Sequence, residues 1–351
     1  MNDGITETIG CDLGDRNSEL CILLPSGEVR RPGTVRTTRK AFSQFFKRPR
    51  AHVVIEVGTH SRWVSQLLEA SGHQVTVANP RRLKLISQGH SKTDVTDAEL
   101  LARLGRADVE LLAPVEHRNS EAQADLAIAK ARDTLVRTRT RLVNYARGLV
   151  KSFGERLPSC TAESFHRQAK AHVPAALKRA LDPIFAVLER LDEQITAHEN
   201  ALAEVAKKYP DVEVISQPKG VGLLTALVFI LTLEDKTRFK KSRTVGAFVG
   251  FNPKRDQSGD TDKQLGITKA GDGFLRRLTV NSANYILGPF GEDSDLRRWG
   301  VELAKRGGKN AKRRATVAVA RKLVVLMHRL WVTGEVYQPL GYAQTRMGAR
   351  A

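Results

Sequence analysis

The apolar positions of this chain fall into three successive rhythms, and each predicts a different kind of structure. Up to about residue 113 they come in short runs. Ile9-Gly10-Cys11-Asp12-Leu13-Gly14 reads as a first strand. Residues 18–24 and 29–35 follow as a hairpin and its return, joined by the turn-forming Pro25-Ser26-Gly27. A short helix over 39–46 carries Phe42, Phe45 and Phe46 on its apolar face. Residues 52–57, His-Val-Val-Ile-Glu-Val, are a near-continuous apolar run of the kind found in buried central strands. An amphipathic helix over 61–70, a strand over 74–78 and a break at Asn79-Pro80 come next. Three strands, a helix, a strand, a helix and a strand predict a mixed sheet with helices packed on it. In Lys92-Thr93-Asp94-Val95-Thr96-Asp97-Ala98-Glu99-Leu100-Leu101-Ala102-Arg103-Leu104 the leucines recur at helical spacing. Thr96 followed three residues later by Glu99 has the form of a capping box, so a helix opens here.

From 116 to 153 the rhythm changes to sevens: Ile128, Leu135, Leu142 and Leu149, with Val136, Ala146 and Phe153 beside them, predict a long helix with a partial heptad seam. After a break at 157–159, Asp182-Pro183 has the character of an N-cap and first helical residue. Ile184, Leu188, Leu191, Ile195, His198, Leu202 and Val205 then alternate four and three apart. So regular a seam requires a partner, either the first long helix in an antiparallel coiled-coil pair or a second protomer. His198, with no second ligand at i+3 or i+4, reads as a packing residue. Tyr209-Pro210-Asp211 ends this region. The third rhythm is helical but interrupted by glycines. Pro218-Lys219-Gly220-Val221-Gly222 opens an apolar helix as a helix-hairpin-helix-like turn. Residues 245–251 are a short apolar segment, 252–273 a long polar stretch, and 317–331 a final apolar helix.

The expected organisation is an α/β domain over 1–113, a helical region over 114–210, a mainly helical domain over 211–340 and a tail over 341–351. With 41% hydrophobic and 27% charged residues the chain can bury such cores in water. No run of eighteen apolar residues and no leader pattern occurs, which predicts a cytoplasmic protein with no membrane partner. Cys11, Cys21 and Cys160 show no metal-ligand spacing, and their odd number fits a reducing compartment. Charge changes the picture most. The net charge is +19, and the last third alone, from residue 211, carries +12. An excess of that size points to a polyanionic partner, nucleic acid before membrane.

Two groups of residues carry candidate chemistry. Asp12 and Glu56 each stand in an apolar strand, where a lone buried carboxylate would cost several kcal/mol, so each needs a partner or a strand-end position. Asp94 and Asp97 share one side of a helix start, where the helix dipole favours anions. If the strands are neighbours and that helix crosses their edge, four carboxylates converge, an all-oxygen set suited to one or two Mg²⁺ ions acting on a phosphodiester. The same residues are compatible with a plain structural role: Asp12 capping the turn into Gly14, and Glu56 paired with Arg62 or His60. In the last third, Lys219, Gly220 and Gly222 offer backbone N–H groups and a cation at a helix start, suited to a phosphate. Lys254, Arg255, Lys269, Arg276 and Arg277 surround Ser258-Gly259, whose hydroxyl is an accessible nucleophile candidate or simply part of a turn. Lys312 and Arg313 lie in a basic run over 305–314 that approaches the final helix.

Asp12, Glu56 and the run Lys92-Thr93-Asp94-Val95-Thr96-Asp97-Ala98 together resemble the acidic tetrad of the DEDD-type transposases of bacterial insertion sequences, the insertion sequence 110 family. Gly220-Val221-Gly222, Gly250-Phe251-Asn252-Pro253, Gln257-Ser258-Gly259 and Gly266-Ile267-Thr268-Lys269-Ala270-Gly271 fall in the order of the transposase domain that ends the proteins of this family. The resemblance implies an N-terminal RuvC-like, ribonuclease H-like domain in which Asp12, Glu56, Asp94 and Asp97 are catalytic and bind Mg²⁺. It implies that Ser258 is the nucleophile forming a covalent link to DNA. It also implies a homo-oligomer, DNA at the element junction and target, and a guide RNA from the element's ends. Where the family often has two serines before the glycine, this chain has Gln257 and Ser258, which leaves one candidate; Asp15 is an extra acid in the turn after Asp12. A serine and a metal cluster on separate domains imply a composite site. Two other readings stay open: a metal-dependent junction-resolving nuclease in which water attacks, and a non-catalytic nucleic-acid-binding protein.

Overall fold

The first sheet forms where the short apolar runs predict it. In the computed structural model, which describes residue 5 and residues 7–81, 93–258 and 261–341, the strands are β1 (Thr8–Asp12), β2 (Asn17–Leu23), β3 (Val29–Arg36), β4 (His52–Glu56) and β5 (Gln74–Ala78). Their order across the sheet is β3-β2-β1-β4-β5, with β1, β4 and β5 parallel and β2 and β3 antiparallel. The turn out of β1 is tight: a Cβ on Gly14 would lie 2.2 Å from the Asn17 carbonyl oxygen. One face of the sheet, with Ile9, Cys11, Leu20, Val53 and Ile55, buries α1 (Arg39–Phe45) and α2 (Ser61–Ala70) through Phe42, Phe46, Val64 and Leu68.

The other face receives α3 (Asp94–Ala107). Gly10 makes this contact possible, because a Cβ there would stand 1.9 Å from the Ala98 carbonyl oxygen and 2.6 Å from the Ala102 nitrogen. At the far end of α3 a Cβ on Gly105 is 2.3 Å from Val54 Cγ2, and Arg106 donates to the carbonyls of Leu24 and Pro25. The helix therefore starts at the end of the sheet where β1 finishes and runs toward the turn after β2. Its cap is not the expected one. Thr93 is the N-cap and makes the capping box with Thr96, while Glu99 binds Arg31 and Arg103. Two basic partners outcompete a backbone N–H for that carboxylate. Lys92 lies outside the described residues.

The chain divides into two compact units, the first ending at His117 and the second beginning at Arg118. In the second unit α4 (Ser120–Ser152) and α6 (Ala175–Ala206) pack against each other and run antiparallel, as the pairs Arg132–Glu199 and Arg139–Asp192 show. The intervening α5 (Phe165–Ala169) stacks Phe165 on Phe185. The seam thus finds its partner within the chain. Asp182-Pro183 does not start α6. The helix begins eight residues earlier, after Pro174, and holds Pro183 in its interior. Burial of Leu177 and Leu181 against Val150, Phe165 and Val173 holds these extra residues in place despite the N–H that Pro183 lacks. His198 bonds the Gln194 carbonyl one turn back in the same helix.

The rest of the unit is built around α8 (Leu223–Leu233), whose residues from Thr225 onward are all buried. A helix apolar on every side must lie at the centre of its core. Around it pack the near ends of α4 and α6, α7 (Asp211–Ile215), α9 (Val245–Phe248), α10 (Gly273–Leu287) and α12 (Ala311–Thr333), with α11 (Asp295–Lys305) against α12. The polar stretch 252–273 is not structureless. It folds as an antiparallel hairpin of β6 (Pro253–Ser258) and β7 (Thr261–Ile267), whose described side chains are mostly exposed, and its strands lack the apolar alternation that would reveal them. No helix among the described residues is long and apolar enough to cross a membrane.

Candidate active site

Asp12 and Glu56 end neighbouring parallel strands. Cys11 is in register with Ile55, so the two acids stand side by side one step further on. Strand pleating puts them on the face that carries Gly10 and Val54, which is the face covered by α3. The strand interiors are sealed, with Cys11 and Ile55 both 0% exposed, but each carboxylate is only half-buried and so keeps access to water or an ion. The start of α3, at this same end of the sheet, carries Asp94 as its first residue and Asp97 one turn on; Asp94 is exposed and Asp97 half-buried.

The fold thus brings four strand-end and helix-start positions to one end of one sheet face. All four side chains are carboxylates, the hard oxygen set that suits Mg²⁺ better than a thiophilic metal, so the residues suit the ion in kind. Their oxygens are not drawn together: among the described residues no three His, Cys, Asp or Glu side chains converge closely enough to share a metal ion. A further acid stands beside them. Glu19 on β2 is the cross-strand partner of Asp12 and shares its face. Burial pushes the Cys11 thiol strongly up, and the charges of Asp12 and Glu19 push it further the same way. Glu19 was hidden in the sequence because only the pairing of β1 with β2 puts it there. Asp15 points outward, 94% exposed, with His60 at 3.6 Å, and His60 in turn accepts a hydrogen bond from Trp63 Nε1.

Ser258 is the last residue of β6, exposed and in register with Thr261. Gly259 lies outside the described residues. Among the described residues none hydrogen-bonds the Ser258 hydroxyl. Arg255 reaches across the hairpin to Asp262 at 2.8 Å, and Lys254 is exposed next to it. The glycines of this region shape the hairpin's base. A Cβ on Gly271 would lie 1.9 Å from the Phe248 carbonyl oxygen, and one on Gly250, at φ +86°, 2.5 Å from the Ala270 nitrogen. Lys269, itself at φ +54°, donates its N–H to the Gly250 carbonyl.

The remaining cations divide by surroundings. Arg276 is half-buried and donates to the Val249 and Gly271 carbonyls, fastening α10 to the hairpin base. Arg277 holds Asp133 of α4 at 2.6 Å, and Lys219 faces Glu292 at 3.3 Å. Lys312 and Arg313 sit exposed in the first turn of α12, beside a cleft of about 670 Å³ that they line with Gly307, Gly308 and Lys309. Gly220, at φ +94°, shapes the turn before α8, and Gly222 caps that helix without a side chain.

Comparison with known proteins places the chain among transposases. A DEDD transposase profile of the IS110 type matches residues 9–154, and the profile described as "Transposase IS116/IS110/IS902 family" matches residues 212–290. The transposase for insertion sequence element IS1111A of Coxiella burnetii is 31% identical over 300 residues, covering 82% of this chain and 79% of that protein. A protein described as a probable family 20 transposase, from Pseudomonas aeruginosa, is 27% identical with 86% and 90% covered. The transposase for element IS1328 of Yersinia enterocolitica is 29% identical with 66% and 68% covered. The chain belongs to the IS110 family of insertion-sequence transposases, and so to the DNA-processing enzymes.

Proposed function

We propose that this transposase cleaves and exchanges DNA strands with divalent metal held on Asp12, Glu56, Asp94 and Asp97 and with Ser258 as nucleophile. The observation that carries the first half is the side-by-side placement of Asp12 and Glu56 on the sheet face where α3 delivers Asp94 and Asp97. A bound Mg²⁺ would stabilise charge on the phosphate and on the leaving oxygen. The four carboxylates position that ion, and Glu19 adds negative charge beside Asp12. Ser258 Oγ bonds to phosphorus as its proton passes to solvent. The bridging P–O bond breaks, and its oxygen leaves with a proton. Attack by a strand hydroxyl on the serine–phosphate bond reverses the step and rejoins the strands. Lys254, Arg255 and Lys269 around the hairpin and Lys312 and Arg313 on α12 supply phosphate contacts. The charge of +12 from residue 211 onward suits DNA together with a guide RNA from the element's ends, and the resemblance to the family supports that RNA.

The test is incubation of the protein with Mg²⁺, DNA spanning the element junction and RNA transcribed from the element's ends, followed by a search for a protease-sensitive protein–DNA adduct. An adduct formed by the wild type and lost in both Ser258→Ala and Asp12→Ala supports the reading. Free cleaved ends from a fully active Ser258→Ala protein would instead establish attack by water.

A further inference from the structure

A cleft of about 420 Å³ lies between the turn that precedes α8 and the outer face of α10. Nothing in the chemistry proposed above uses it. Its walls are Gly220 and Gly222 on one side and Asn281, Ser282 and Tyr285 on the other, with Thr225 beneath. Thr225 is 7% exposed and Ser282 4%, yet among the described residues neither hydroxyl has a hydrogen-bond partner. Both residues line the cleft, so their two unpartnered hydroxyls are open to it and offer a polar ligand hydrogen bonds there. Tyr285 is 46% exposed, its ring held against the turn because Gly220 has no Cβ; one there would stand 2.9 Å from Tyr285 Cδ1. Asn281, also exposed, adds an amide that can both donate and accept.

The same cleft opens onto an anion seat. The amides of Leu223, Leu224 and Thr225 precede the first helical hydrogen bond, from Ala226 N–H to the Gly222 carbonyl. No side chain caps this end of α8 and no acid stands in its first turn. Lys219 adds a cation whose exposed pairing with Glu292 is readily exchanged. An aromatic face, hydrogen-bonding groups at its edge and an adjacent anion seat are the complement of one nucleotide. A base inside a duplex is stacked and paired, so only an unpaired one can enter.

We infer that this cleft binds an unpaired nucleotide, its base on Tyr285 with its edge toward Asn281, Thr225 and Ser282, and its phosphate on the amides at the start of α8. The inference rests on the reading of the protein as a nucleic-acid enzyme and names a part of the nucleic acid that the proposed chemistry does not touch. Unpaired DNA and unpaired RNA present the same base and phosphate, so both are tested.

The experiment uses the full chain and oligonucleotides carrying 2-aminopurine, as single-stranded DNA, single-stranded RNA and duplex DNA of one sequence. Binding is read by anisotropy and stacking by quenching of the probe. For the single strands, the wild type quenches the probe and Tyr285→Ala weakens binding about five- to a hundredfold with loss of quenching. Tyr285→Phe keeps both, because stacking needs only the ring. Duplex affinity stays the same in all three proteins. Whichever of DNA and RNA shows the larger Tyr285→Ala effect is the source of the nucleotide. Tyr285→Ala binding the single strands like the wild type, or losing duplex affinity equally, overturns the cleft assignment and leaves the transposase reading intact. Failure of the wild type to bind any of the three overturns both.

Discussion

Gly10→Ala tests whether α3 is the arm that aims Asp94 and Asp97. The added methyl group would lie 1.9 Å from the Ala98 carbonyl oxygen, whereas ordinary contact begins at 3.4 Å, so about 1.5 Å has to be recovered. Both nearest atoms, Ala98 O and Ala102 N, belong to the helix backbone, so no change of rotamer relieves the clash. The helix must lift from β1. Overpacking of this kind costs about 1–3 kcal/mol. It also moves the first turn of α3 away from Asp12 and Glu56, and a displacement of about 1 Å at a reacting group lowers rates roughly a hundredfold.

The expected result is a lower denaturant midpoint for the first unit and about a hundredfold slower Mg²⁺-dependent strand cleavage, with DNA affinity retained. Gly148→Ala is the control. Gly148 is exposed on α4 with nothing within 4 Å of an added Cβ, and alanine there should raise stability by about 0.4–1 kcal/mol. A Gly10→Ala protein within about 0.5 kcal/mol of the wild type and equally active would refute the packing argument, since the clash involves backbone on one side and has no soft neighbour to absorb it.

Other substitutions probe the second unit. Arg139 is 6% exposed at its side chain and holds Asp192 and Glu163; Arg139→Met returns the exposed Glu163 to water and leaves Asp192 with His166, and should cost about 1–3 kcal/mol in a denaturant titration. Pro183→Ala restores the N–H missing from the middle of α6 and should raise the thermal midpoint, by about 1 kcal/mol or more of stability. His328 is fully buried between the Ser242 hydroxyl and the Lys236 carbonyl, which it can bond while neutral, and burial lowers its pKa. The unfolded chain then takes up the proton first, so this contribution to stability is full above about pH 6.5 and is lost as pH falls below it. Unfolding midpoints at pH 7 and pH 5 should differ more in the wild type than in His328→Gln; an equal difference would remove His328 as the cause.

Much of the first unit was legible because its central strands β1 and β4 are buried on both faces and read as apolar runs, and its turns carry glycine and proline. The two strand-borne acids were legible for the same reason, since a carboxylate in such a run is costly unless it stands at the strand's end, and both do. Glu19 was not, because it stands in the polar start of β2, Asn17-Ser18-Glu19, where nothing local distinguishes an acid facing solvent from one facing Asp12. The start of α6 was misplaced by its own best local signal. Asp182-Pro183 has the chemistry of a helix start, and only the burial of Leu177 and Leu181 against a distant part of the chain overrides it.

The hairpin of β6 and β7 shows what a motif can conceal. Gly250, Gly271 and Arg276 sit near Ser258 in the sequence and read together with it as one chemical signature. Each has a structural reason of its own: the two glycines admit backbone that a side chain would strike, and Arg276 satisfies the carbonyls of Val249 and Gly271. These contacts fix where the hairpin leaves the core and make no demand on its tip. Ser258 and Lys254 stand on β6 beyond that base, exposed, and no packing requirement calls for a hydroxyl or an ammonium at either place. Where the scaffold is indifferent to a side chain, its removal tests chemistry apart from stability. Ser258→Ala should therefore leave the unfolding midpoint within about 0.5 kcal/mol of the wild type while abolishing any covalent adduct, a separation that neither glycine can show.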